Sequence, residues 1–168
     1  MKLTLFPLHT GVWEGVYTRI DAAGNRTDQW KSRLTIRMFG ENKYHQANEY
    51  FWDDGHHECH DFGITHFDQN GVLIFENPRI SGRSWETGNS ICLVWTYKNR
   101  PQSKLFEMID LIGDGTHRVR NWRWTEGDEF QGITMIEERR VSTMEEIEAD
   151  FWEKLPTRRT MGPSRSDH

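Results

Sequence analysis

An all-β fold, an antiparallel up-and-down barrel of eight to ten strands followed by one C-terminal helix, is what this chain of 168 residues predicts. Three observations lead there. Clusters of Gly with Asp or Asn recur at short intervals, among them Asp21-Ala22-Ala23-Gly24-Asn25, Asp53-Asp54-Gly55, Asp68-Gln69-Asn70-Gly71 and Gly113-Asp114-Gly115, and such residues supply the positive φ or side-chain bonds that hairpin turns need. Between them lie runs of about ten residues rich in β-branched and aromatic types, the spacing of antiparallel meanders rather than βαβ units. Gly11-Val12-Trp13 lets the chain enter a first strand tightly while a large ring plugs one end of a barrel.

The strands fall at residues 11–20, 28–38, 43–52, 59–67, 72–76, 80–86, 90–98, 104–112, 117–125 and 129–141. The helix begins at Ser142, where Ser142-x-x-Glu145 has the pattern of a capping box and Met144, Ile147, Phe151 and Leu155 share one face; Pro156 ends it. Residues 1–156 then form a single barrel domain, a size that buries an adequate core. Residues 157–168 carry no apolar period and are expected to be an irregular, mobile tail.

Composition narrows the function classes. Against 26 Asp and Glu there are 21 Lys and Arg, a formal charge of −5, the wrong sign for a phosphate-dominated nucleic-acid binder. The 8 Trp, 9 Phe and 4 Tyr supply large rings for a core. Cys59 and Cys92 are too few for a disulfide scaffold, and Met1–Pro7 holds no signal-length apolar run, so a cytoplasmic chain with reduced thiols is expected. No stretch approaches the roughly 20 apolar residues that span a bilayer. A homodimer and a monomer both stay open.

The Gly11-x-Trp13 strand, the many antiparallel segments and the C-terminal helix together resemble the calycin superfamily, which includes lipocalins, fatty-acid-binding proteins and nitrobindins. More narrowly, Gly11-Val12-Trp13-Glu14-Gly15-Val16-Tyr17-Thr18-Arg19 with Asp21-x-x-Gly24 is similar to the start of a lipocalin-like bacterial and cyanobacterial family of unknown function. The resemblance implies a lipocalin-like barrel in which a basic residue of the last strand, Arg139 or Arg140, lies across Trp13 and closes the barrel. Nitrobindins hold haem through a histidine on a late strand, and Phe130–Val141 contains none; no cofactor is expected. Phycobilin lyases are also calycins, but no motif here carries chromophore attachment over.

Strand periodicity places Trp13, Gly15, Tyr17 and Arg19 on one side, with Arg19 toward the open mouth. An inward guanidinium needs an anionic partner, either on a ligand or in a rim pair with Asp21 or Asp28. On the third strand, Tyr44, Gln46, Asn48, Tyr50 and Trp52 alternate with His45, Ala47, Glu49 and Phe51. Amides between rings fit a cavity wall that orients a ligand, or a solvated outer face.

On the ninth strand Asn121 and Arg123 are expected to face the lumen while Arg118, Arg120, Trp122 and Trp124 form an outer ladder; a slip of one residue reverses this. Glu107 and Asp110 lie on opposite faces of the eighth strand, and an internal carboxyl would pair with an internal arginine and have a raised pKa. His56, Glu58 and His60 could line one face with His66 beyond, but no Cys-x-x-Cys pair accompanies them and no metal site is assigned.

These readings converge on a protein that holds a small, largely apolar molecule bearing an anionic or phenolic group. Its binding residues are Arg19, Gln46, Asn48, Tyr50, Asn121 and Arg123. The alternative is a cofactor-independent lyase, isomerase or cyclase in the same cavity, with Tyr17 and Glu107 as its acid–base groups.

Overall fold

The computed structural model describes residues 2–145 and 164–167. After a 3-10 turn at Phe6–His9, the chain runs through β1 (Gly11–Asp21), β2 (Arg26–Phe39), β3 (Lys43–Phe51), β4 (His57–Phe67) and β5 (Leu73–Glu76). It continues through β6 (Ile80–Thr87), β7 (Ser90–Tyr97), β8 (Arg100–Ile112), β9 (His117–Glu126) and β10 (Glu129–Ser142). Each strand pairs antiparallel with the next and β10 returns to β1, so the sheet is a closed barrel without a free edge.

All ten expected strands are present. The largest boundary difference is at β8, which starts at Arg100 because Tyr97 pairs with Arg100 across a tight turn; Pro101 made this stretch read as loop. Beyond Glu145 the expected helix lies outside the described residues. Ser142, its expected cap, is instead the last residue of β10, opposite Val12.

Gly11 begins β1 with φ +111°, and a Cβ there would stand 2.3 Å from the Ser142 carbonyl oxygen, so only glycine fits. Two residues on, Trp13 is fully buried and donates its indole N–H to the His9 carbonyl at 2.9 Å. The Arg140 guanidinium lies 4.7 Å from the Trp13 ring centroid, and that of Arg118, from β9, lies 4.4 Å away. This end of the barrel is sealed further by the N-terminal segment, whose Leu5 and Phe6 N–H groups donate to the Glu86 carboxylate at 2.6 and 2.8 Å.

Register decides which faces line the lumen, since residues directly opposite one another in an antiparallel pair share a face. Trp13, Tyr17, Trp30, Leu34, Tyr50, Leu105, Trp122 and Ile136 pack together as the main core. On β9 the inward set is Arg118, Arg120 and Trp122, opposite Leu111, Ile109 and Glu107 of β8. The inward assignment of Asn121 and Arg123 is therefore corrected. Asn121 faces out, and the exposed Arg123 lays its guanidinium 4.6 Å from the Phe130 ring on the outer surface. Among the described residues no helix is long and apolar enough to cross a membrane.

Candidate functional site

A cavity of about 120 Å³ runs inside the barrel. That is several times the space a single water needs and smaller than the usual pocket for a drug-sized molecule. Its body is apolar and aromatic, with Phe62, Phe75, Leu93, Trp95, Tyr97 and Trp122 on the walls. Polar groups enter at three levels, which are the floor, one wall and the mouth.

The floor is an ionic cluster. Arg120 Nε donates to Glu107 Oε1 at 2.6 Å, and Arg120 Nη1 donates to Glu138 Oε1 and to the Tyr17 hydroxyl, each at 3.0 Å. Arg118 pairs with Glu138 as well. None of these four charged side chains is more than 4% exposed. The cluster has room because Gly15, opposite Glu138, has no side chain: a Cβ there would lie 2.6 Å from Glu138 Cγ.

Burial raises the Glu107 carboxyl above its ordinary value even against the nearby Arg120 charge. For Glu138 burial acts in the same direction, but Arg118 and Arg120 outweigh it and hold the carboxyl low. Burial pushes the Tyr17 phenol well above the usual range. Beside the cluster His9 is lowered to about 3, first by burial and then by Arg118, Arg120 and Arg140.

One wall carries a hydrogen-bonded ladder along β3. The Tyr44 hydroxyl donates to Gln46 Oε1 (2.7 Å), Gln46 Nε2 donates to Asn48 Oδ1 (2.9 Å), and Asn48 Nδ2 donates to the Tyr50 hydroxyl (2.8 Å). Each amide uses one hydrogen in the ladder and keeps a second, so the wall can donate to a guest. Burial pushes the Tyr50 phenol up to about 12, which keeps it a neutral hydrogen-bonding group.

The mouth is built on Glu58, 1% exposed. His56 Nε2 and His60 Nε2 each lie 2.9 Å from its carboxylate, and the Ser164 and Ser166 hydroxyls donate at 2.6 and 2.7 Å. With Nε2 turned to Glu58, His60 presents Nδ1 as acceptor to Arg79 Nη1 at 2.6 Å. His56, Glu58 and His60 thus share a face on and beside β4, arranged around a carboxylate. Among the described residues no group of three or more His, Cys, Asp or Glu side chains is placed to hold a metal ion.

Of the residues singled out from sequence, Gln46, Asn48, Tyr50 and Glu107 line the cavity. Tyr17 points inward but is fully buried behind the wall, stacked 5.3 Å from Trp30 and edge-on to Tyr50 and Trp122. Arg19 also points inward, its guanidinium 5.0 Å from the Trp30 ring, and donates to the Ser166 carbonyl at 3.0 Å. Asn121 and Arg123 are outside. Sequence reasoning missed Arg79 and Glu138, set Arg118 and Arg120 on the outer face, and weighed Glu58 and His60 as one face of a cluster without assigning it a ligand. For the β9 arginines a signal existed, since the hairpin that pairs Ile112 with His117 puts Trp122 opposite Glu107 and Arg120 opposite Ile109.

Known proteins share this barrel. A protein of unknown function from Nostoc punctiforme, of the DUF3598 family, superposes with TM-score 0.63 at 16% identity, over 84% of this chain and 51% of its own; the present chain spans about half its length. Rv2717c from M. tuberculosis matches with TM-score 0.56 at 16% identity, over 80% and 92% of the two chains. The S-type phycobiliprotein lyase CPES from Guillardia theta matches with TM-score 0.56 at 13% identity, over 80% and 89%. At these identities the likeness is one of fold. No curated protein matches. The model of a domain of unknown function (DUF3598), N-terminal, fits residues 3–143, from the N-terminal seal through the end of β10, and the chain belongs to that family.

Proposed function

We propose that the protein binds a small, largely apolar molecule carrying an anionic or phenolic group inside the barrel. The observation that carries this reading is the Tyr44–Gln46–Asn48–Tyr50 ladder facing an aromatic cavity. A core that serves stability alone seldom places two amides beside unfilled space, because a polar group deprived of water and unmatched costs several kcal/mol, about 1–3 in mutational data. Here the spare amide hydrogens meet a guest's oxygen while the rings cover its apolar body.

Titration with the uncharged fluorophore N-phenyl-1-naphthylamine tests this. Saturable binding at one site per chain is expected, and Leu93→Trp, which fills the cavity from β7, weakens it at least tenfold. Absence of saturable binding to the folded wild-type chain counts against the reading.

A second reading, a cofactor-independent lyase or isomerase, is favoured by one feature: Glu107 lines the cavity and has a raised carboxyl pKa, as a general acid or base requires. A lyase on the same fold, the Guillardia theta protein, is compatible with it. Tyr17, sealed behind Tyr50, serves here as a positioning residue. Once a bound molecule is identified, conversion by wild type and none by Glu107→Gln, with binding retained, is the outcome this reading demands.

A further inference from the structure

The floor and the mouth of the barrel differ in how their arginines are neutralised. At the floor, Arg118 and Arg120 are matched by Glu107 and Glu138, all supplied by barrel strands. At the mouth, among the described residues, no barrel carboxylate lies within 4 Å of either Arg79 or Arg19, and Arg19 has only the field of Asp28, opposite it on β2, and of Glu58. Among the described residues the only carboxylate within 4 Å of the Arg79 guanidinium is that of Asp167, and the group that receives Arg19 Nη2 is the Ser166 carbonyl. Both come from the segment 164–167, not from the barrel. Ser166 is 2% exposed and lines the cavity, so this segment sits in the entrance.

The segment is held as a ligand would be. The Asp167 N–H donates to the Ser164 carbonyl at 3.2 Å, folding a turn. The Arg165 N–H and both serine hydroxyls donate to Glu58, and Arg165 Nη1 reaches Asp54 at 2.6 Å with its guanidinium 5.0 Å from the Trp52 ring. The receiving groups are fixed in advance: Glu58 orients His60, whose Nδ1 in turn holds Arg79 Nη1. Arg79 is left with Nη2 turned to the Asp167 carboxylate.

We infer that Arg79 and Arg19 form an anion-recognition site at the barrel mouth for the acidic head group of the lumen guest, and that Ser166 and Asp167 of the same chain occupy that site in cis. This rests on the proposed reading of the lumen as a ligand cavity and sharpens it: the guest is an amphiphilic organic anion with its acid at the mouth and its apolar body along the aromatic walls. An incoming acid takes the place of the Asp167 carboxylate on Arg79, so binding and release of the segment are the two sides of one exchange. His60 and Glu58 act as positioning residues.

The test compares two fluorophores of the same skeleton, anionic 1-anilinonaphthalene-8-sulfonate and uncharged N-phenyl-1-naphthylamine, on the chain of 168 residues. Asp167→Ala removes only the carboxylate on Arg79; Ser166→Glu sets a carboxylate against buried Glu58 and expels the segment by like-charge repulsion. Neither substitution touches a barrel strand. In both, the ratio of the two dissociation constants is expected to shift about tenfold toward the anion relative to wild type. Adding Arg79→Ala to the Ser166→Glu chain returns the ratio to the wild-type value while the uncharged probe still binds. If the uncharged probe binds but Asp167→Ala and Ser166→Glu leave the ratio unchanged, the mouth site is wrong and the lumen reading stands. If the uncharged probe binds none of the folded chains, the lumen reading fails and the mouth site falls with it.

Discussion

Arg120 and Glu107 meet at 2.6 Å on neighbouring strands, two residues out of direct opposition and so on the same face, with side chains 4% and 2% exposed. Two charges so deeply placed persist only as a pair, because removing one leaves the other unmatched in a medium that solvates it poorly. Arg120→Ala is therefore expected to cost about 3–5 kcal/mol, since it strands Glu107 and also withdraws a donor from Glu138 and Tyr17. Urea unfolding measures this; a loss below about 1 kcal/mol contradicts the pairing.

Gly15 provides the space for that cluster. In Gly15→Ala the new methyl meets the Glu137 carbonyl oxygen at 2.1 Å and Glu138 Cγ at 2.6 Å. The first contact is with backbone and cannot swing away, so a loss of about 1–3 kcal/mol is expected. An alanine variant as stable as wild type would mean that β1 and β10 are not this close.

Acid stability should depend on His9. Its folded pKa, about 3, lies below the ordinary 6.5, so the unfolded chain binds the proton more tightly. The stabilisation from a neutral His9 is complete above pH 6.5 and is lost as pH falls toward 3, at about 1.4 kcal/mol per unit at most. His9→Gln removes this part of the slope while keeping the backbone carbonyl that accepts from Trp13. Unfolding free energies of both chains at pH 7, 5.5 and 4.5 give the comparison; parallel profiles would reject the assignment.

The two faces of the sheet should respond differently to substitution. Asn121→Ala and Arg123→Ala, both outside the barrel, are expected to leave affinity for 1-anilinonaphthalene-8-sulfonate within about twofold and stability within about 0.5 kcal/mol. Asn48→Leu breaks the ladder on both sides, from Gln46 and to Tyr50, and should weaken binding of a hydrogen-bonding guest about five- to tenfold. A larger effect from Asn121 than from Asn48 would mean that β9 pairs with β8 one residue out of this register.

Much of the architecture was legible in the chain itself. Turn clusters at regular spacing set ten strands and Gly11-x-Trp13 marked the closed end, because these are local requirements of backbone and packing; the cation from β10 over Trp13 was implied by the resemblance to lipocalins. The inward direction of Tyr17 and Arg19 followed from the two-residue period, whereas the amides alternating with rings on β3 fitted a cavity wall or an outer face equally, and the barrel turned them inward.

The tertiary structure decided what those side chains meet. Whether β9 turns Arg120 or Asn121 to the lumen depends on pairing with β8, and a slip of one residue exchanges every side chain between faces. The mouth is still less local, since Glu58, Arg79 and Ser166 come from sequence positions far apart and become one hydrogen-bonded site only when the barrel closes. Strand period and turn chemistry act over a few residues and can be read directly. Neutralisation of a buried charge depends on distance in space, and only the closed barrel sets that distance.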